Sequence, residues 1–219
     1  MVGTAPFFYT DDVPERLPII RGRVVAGEST LRRLVMTTKR RYDRWFGVTV
    51  PLPTIILLQD RHSITAYWGR RLPMWSVAWA EHGSIFILDR TLARAGGISP
   101  ERWTAIVRHE HAHLYLQAMS GQNPPKWLRE GIPCTLARQS YRVTPNDVRR
   151  YLDRPEAPGQ NVHGVGWWLV TRLIRRWDRT RLIRLVQACG DEAFGADFRS
   201  AFRSVYGSSW STARRRLGV

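Results

Sequence analysis

The stretch RHEHAHLY, residues 108 to 115, constrains this chain more than any other, because it sets three of the six histidines beside a glutamate. His109 and His113 are four apart and Glu110 directly follows the first, an H-E-x-x-H arrangement. On a helix, residues four apart lie one above the other, so both imidazoles can turn toward a single point. Glu110 sits about 100° further round, beside that point. His111 faces away, toward solvent or toward supporting hydrogen bonds.

The flanking residues predict that helix. Ser99-Pro100-Glu101 supplies a capping hydroxyl, a proline at the first helical position and an acid in the first turn, and Ser120-Gly121 marks the stop. A second helix opens around Asn123-Pro124-Pro125 and carries Trp127, Leu128 and Glu130. Thr144-Pro145 begins a third, Gly164 to Trp177 reads as a fourth, and segments 180–189, 194–206 and 209–217 complete the set. Nearer the start, Leu31, Leu34, Val35, Tyr42, Trp45 and Phe46 recur at helical spacing between the cap candidate Ser29 and the terminator Gly47. PTIILLQ after it, Trp75 to Trp79, and SIFILD at 84 to 89 read as strands, the last two joined by a turn at Glu81-His82-Gly83. Strands early and helices late predict an α+β fold. Its small mixed or antiparallel sheet and the helix of the histidine pair precede a helical C-terminal lobe. The division falls near residue 140, with 1–140 and 141–219 forming one compact unit.

Two imidazoles are too few to hold an ion. The next helix offers Glu130 in PPKWLREG, seventeen residues after His113, and the turn SGQNPP is long enough to reverse the chain. His109, His113 and Glu130 would suit a tetrahedral zinc ion, one per chain, with the fourth position left to water. Two neutral imidazoles and a carboxylate leave that ion a net charge of +1, which lowers the pKa of the water, and Glu110 stands where a general base would act on it.

Composition narrows the alternatives. The formal net charge is +16, from 34 Lys and Arg of which only Lys39 and Lys126 are lysines. Such a charge attracts polyanions non-specifically. The arginines are nevertheless dispersed, without a recognisable nucleic-acid motif, so a solvated basic surface is the plainer reading. Cys134 and Cys189 form no C-x-x-C and indicate neither a disulfide framework nor a cysteine metal site. The opening residues MVGTAPFFYTDDVPER lack the basic and apolar regions of a signal peptide. Arg172 interrupts the longest apolar run, VGWWLVTRLI, so no membrane span is expected. A cytoplasmic location is the default expectation.

With these residues in view, RHEHAHLYLQAMSGQNPPKWLREG resembles the gluzincin zinc metallopeptidases, especially the bacterial peptidase MA-like domains. Their pattern is an H-E-x-x-H helix followed by a Pro-x-Trp-Leu-x-Glu-Gly helix. Upstream, WSVAWAEHGSIFILD looks like the paired strands before the first helix, and downstream FRSAFRSVYGSSWSTARRRL resembles the terminal helices. The likeness covers roughly residues 50 to 217. It implies a zincin-like fold that hydrolyses peptide or protein substrates, with His109, His113 and Glu130 on zinc and Glu110 as base and proton shuttle. It also implies that the strand containing Ile85, Phe86, Ile87 and Leu88 is the sheet edge on which an extended substrate pairs.

Two positions depart from that pattern. Pro133 follows Ile132 where alanine is usual, and an internal proline predicts a kink or early end that would turn Glu130 away. His163, in NVHGVGWW, stands where related domains place a tyrosine. An imidazole there can donate to an oxyanion or cap the helix beginning at Gly164. Three functional classes follow: a zinc-dependent peptidase, an inactive relative that binds peptide or zinc, and a basic polyanion-binding protein.

Overall fold

The computed structural model describes residues 19–20, 28–58, 77–121, 123–194 and 197–219. The first helix, α1 (Glu28–Phe46), begins one residue before Ser29, so this serine lies inside the helix and is not its cap. Its end is as expected: Gly47, at φ 72°, adopts the left-handed conformation that glycine tolerates and donates its N–H to the Asp43 carbonyl at 2.9 Å.

The strands are β1 (Ile19–Ile20), β2 (Thr54–Leu58), β3 (Ala78–Glu81) and β4 (Ser84–Leu88). They form one mixed sheet in the order β1-β2-β4-β3, with β4 parallel to β2 and antiparallel to β3. The hairpin between β3 and β4 turns at His82 and Gly83, both at positive φ (46° and 74°). That backbone matches the right-handed twist of the two strands. Gln59, Trp75 and Ser76, included in the predicted strands, lie outside the described residues.

Ile85 to Leu88 do not form the edge of this sheet. Their strand is hydrogen-bonded on both sides, and all four side chains are buried. A nearly continuous apolar run marks an interior strand covered on both faces, which explains the misassignment. Among the described residues the sheet ends in β1 on one side and in β3, with the mixed sequence AWAE, on the other.

A short helix that the sequence did not signal, α2 (Arg90–Ala95), follows the sheet, with the Asp89 carboxylate accepting from the Thr91 N–H at 2.8 Å. Next comes the central helix, α3 (Pro100–Ser120), capped by Ser99 as expected. It binds the sheet at both ends: Trp103 Nε1 donates to the Leu88 carbonyl at 2.9 Å, and Gln117 Nε2 to the Ala80 carbonyl at 3.0 Å. On another side, the Tyr42 hydroxyl donates to the Arg108 carbonyl at 3.1 Å, and the Tyr115 hydroxyl to Asp43 Oδ1 at 2.5 Å, fastening α1 to it.

The chain continues through α4 (Lys126–Leu136), α5 (Pro145–Asp153), α6 (Val162–Trp177), α7 (Arg179–Gly190), a single 3-10 turn at Glu192–Phe194, α8 (Phe198–Tyr206) and α9 (Trp210–Leu217). Thr144 and Asp147 close a reciprocal capping box on α5. α6 starts two residues before the predicted Gly164, and the helix expected from 194 starts only at Phe198, capped by Asp197. Pro133 does not end α4, which runs past it to Leu136 with Ile132 and Pro133 buried. The proline removes one backbone donor near the end of the helix, and burial of that turn holds it in register. One apolar core runs from Val35 and Ile85 through Leu128 to Leu169 and Phe202, continuous across residue 140. The architecture is α+β, with a small sheet near the N-terminus and a helical C-terminal part.

Candidate metal centre

The spacing of four on α3 does what the sequence requires. His109 and His113 lie one turn apart, with their Nε2 atoms 3.1 Å from each other. The chain reverses after Gly121, and α4 returns Glu130 so that its Oε2 stands 3.4 Å from His109 Nε2 and 3.6 Å from His113 Nε2. A tetrahedral ion held at about 2.0 to 2.1 Å keeps neighbouring donor atoms about 3.3 to 3.4 Å apart. The three observed separations scatter around that value, so this group could hold a metal ion.

A close contact between α4 and α6 sets the position of Glu130. Gly131 follows Glu130, and a methyl carbon at Gly131 would collide with the Gly166 carbonyl and lie 2.8 Å from its Cα. Only paired glycines let the two backbones approach so closely. One turn before Gly166, His163 therefore faces the same group, its Nε2 3.1 Å from Glu130 Oε2. His163 does not cap α6; Asn161 does, its side-chain oxygen accepting from the Gly164 N–H at 2.9 Å.

Gln139 supports His109 from behind, with Oε1 3.0 Å from His109 Nδ1. An amide oxygen there accepts a hydrogen bond from Nδ1–H and leaves the Nε2 lone pair directed at the site. The end of α4 places this glutamine. Arg138 adopts a left-handed φ of 59°, and the Gln139 N–H turns back to the Cys134 carbonyl at 2.9 Å. Tyr141 donates its hydroxyl to Gln139 Oε1 at 3.4 Å, and Cys134 Sγ lies 3.8 Å from His109 Nδ1. No motif pointed to Gln139 or Tyr141; a left-handed arginine after a helix end has no sequence signature.

The electrostatics follow from burial. Desolvation pushes the Glu110 carboxyl up to about 7, against a lowering pull from His109. Burial opposes ionisation of Glu130 as well, but the imidazoles of His109, His113 and His163 grouped around it outweigh it and hold this carboxyl well below the usual carboxylate range. The hydrogen bond to Glu130 in turn raises the pKa of His163. One carboxyl is thus able to exchange a proton near neutrality, while its neighbour stays ionised as a donor.

His111 has neither of the expected environments. It is fully buried on the α1 side of α3, its ring 5.8 Å from those of Tyr42 and Tyr115, and neither ring nitrogen has a hydrogen-bond partner among the described residues. Desolvation drives its pKa down to about 3, so it stays neutral.

The metal group opens on a cleft of about 1000 Å³ whose walls include Ala78 and Trp79 of β3, Ile106 of α3, Tyr141 and His163. The bond from the Leu88 N–H to the Val77 carbonyl, at 2.9 Å, sets the phase of the β3–β4 ladder. Antiparallel alternation then directs the backbone groups of Ala78 and Ala80 away from β4. Among the described residues, no helix is long and apolar enough to cross a membrane. No model of a known protein family matches the chain, and no curated protein does so either.

Proposed function

We propose that the chain is a zinc-dependent metallopeptidase of the gluzincin kind, with His109, His113 and Glu130 as ligands and Glu110 as general base. The observation that carries this reading is the convergence of His109 Nε2, His113 Nε2 and Glu130 Oε2, at separations of 3.1 to 3.6 Å, beside a buried carboxyl pushed up to about 7. Two imidazoles and one carboxylate are the donor set of zinc hydrolases with an open coordination position.

Zinc bound there supplies Lewis acidity to an amide carbonyl and to the attacking water. Glu110 takes one proton from the water as its oxygen adds to the carbonyl carbon, then delivers that proton to the departing nitrogen as the C–N bond breaks. His163, whose Nε2 lies against Glu130 in this structure, donates to the oxygen that gains negative charge once its ring turns from Glu130 toward the substrate. Gln139 holds the His109 ring in one tautomer throughout. The substrate is an extended peptide laid along β3, where the outward backbone groups of Ala78 can pair with it. The excess of arginine adds a non-specific attraction for polyanions.

Metal analysis and a peptide-cleavage assay test this together. About one zinc per chain is expected, chelation abolishes cleavage, and Glu110→Gln retains the metal while losing about 10²- to 10⁴-fold in rate. A Gln variant that cleaves as fast as its parent removes Glu110 from the mechanism.

A further inference from the structure

A second, smaller chamber of about 180 Å³ adjoins the metal group on the side of Glu110 and His113. Its walls are Trp79 and Ala80 of the edge strand, Leu116 and Gln117 of α3, and Arg129 beside Glu130; Gly121 also lines it. It has room for one side chain. Arg129 gives the chamber its chemistry: it lines the wall half-buried, its Nε is sealed within the protein, and among the described residues no carboxylate forms an ion pair with it. A half-buried guanidinium beside a cleft, with no carboxylate of the protein on it, is placed to take an anion from outside through its terminal nitrogens. Two carboxyl groups share this wall with Arg129, Glu110 and Glu130, and Glu130 already lies against three imidazoles.

We infer that this chamber is a specificity subsite in which Arg129 receives a carboxylate of the substrate, adjacent to the bond that Glu110 would act on. The inference rests on the peptidase reading and names its substrate class: peptides carrying an acidic group next to the cleaved bond. A guanidinium offers two parallel donors to a carboxylate, a geometry that neither a neutral amide nor an ammonium group reproduces. The carboxylate can belong to an aspartate or glutamate side chain or to a free C-terminus.

The test uses the full chain loaded with zinc and a set of unstructured peptides, blocked at both ends, that carry Glu, Gln or Lys at each position flanking one candidate bond. A further peptide has a free C-terminal carboxylate instead. The wild type is expected to favour a carboxylate over its amide by about 10- to 100-fold in kcat/KM, the value of one charge-assisted hydrogen bond. Arg129→Gln should remove that preference and Arg129→Lys should keep part of it. Preference for the internal Glu identifies a side-chain subsite, and preference for the free terminus a carboxylate-end subsite; either supports the inference.

A binding arm separates this inference from the reading beneath it. Titration of the same peptides into Glu110→Gln, followed by calorimetry, should give the same order of affinities and the same loss on adding Arg129→Gln. Binding preference without cleavage by the wild type sinks the peptidase reading and leaves the anion subsite standing. Equal binding of the Glu and Gln peptides, no binding at all, or a preference that survives Arg129→Gln overturns the subsite.

Discussion

Gly131 and Gly166 put two helix backbones in contact: a methyl carbon added to either would lie within 2.8 to 2.9 Å of the other's Cα. This pair is flanked by Glu130 on one helix and, a turn earlier on the other, His163, whose polar atoms meet at 3.1 Å. Gly166→Ala must therefore push α6 off α4. The expected cost is about 1 to 3 kcal/mol of stability, the usual penalty of overpacking, read by chemical denaturation. Metal affinity should fall with it, because Glu130 moves relative to the two histidines. An unchanged metal titration would show that this contact does not position Glu130.

Gln139 touches the candidate metal group only through His109, with Oε1 3.0 Å from Nδ1. Gln139→Leu keeps the bulk of the side chain but removes the acceptor at Nδ1, and metal affinity should drop by about 10- to 100-fold in a competition titration with a chelator. Gln139→Glu should bind at least as tightly as the parent, since a carboxylate is the stronger acceptor. If the leucine variant binds as well as the parent, the ring is held by its packing and not by the amide.

Metal occupancy should also be visible in folding stability. An ion that binds only the native state adds about 4 kcal/mol at a thousandfold excess over its Kd. Zinc should therefore raise the melting temperature, and a chelator should reverse the rise. Glu130→Ala and His109→Ala should abolish the shift. A shift that persists in both variants would locate the ion elsewhere.

His111 lies within the same eight-residue stretch and behaves oppositely. Its ring contacts Tyr42 and Tyr115, and both nitrogens are unpartnered among the described residues. Phenylalanine preserves the ring contacts and removes two desolvated polar atoms. His111→Phe should leave the metal titration unchanged and raise stability by about 1 kcal/mol, measured by denaturation at neutral pH. A loss of stability would mean that the imidazole has a partner, such as a bound water.

Much of this was legible before any coordinates. Ser99-Pro100-Glu101 and Thr144-Pro145 announced two helix starts because caps act within a single turn. The antiparallel hairpin was legible from Glu81-His82-Gly83 for a similar reason. Ile85 to Leu88 misled because a continuous apolar run says that a strand is buried, not which neighbours it has. Pro133 misled in the other direction: its local cost is real, yet the buried turn around Ile132 tolerates it. His111 was assigned outward from helical phase alone, without the knowledge that α1 covers that face.

Sequence alone determined that His109, Glu110 and His113 share one helical neighbourhood, since a spacing of four becomes proximity through the helix's own hydrogen bonds. Tertiary structure decided everything that brings other residues to that point: Glu130 through the Gly131–Gly166 contact, Gln139 through the turn at Arg138, His163 from α6, and β3 as a terminal strand among the described residues. Those placements depend on how closely separate elements pack, a property of shapes meeting across the core that a local pattern of residues does not carry.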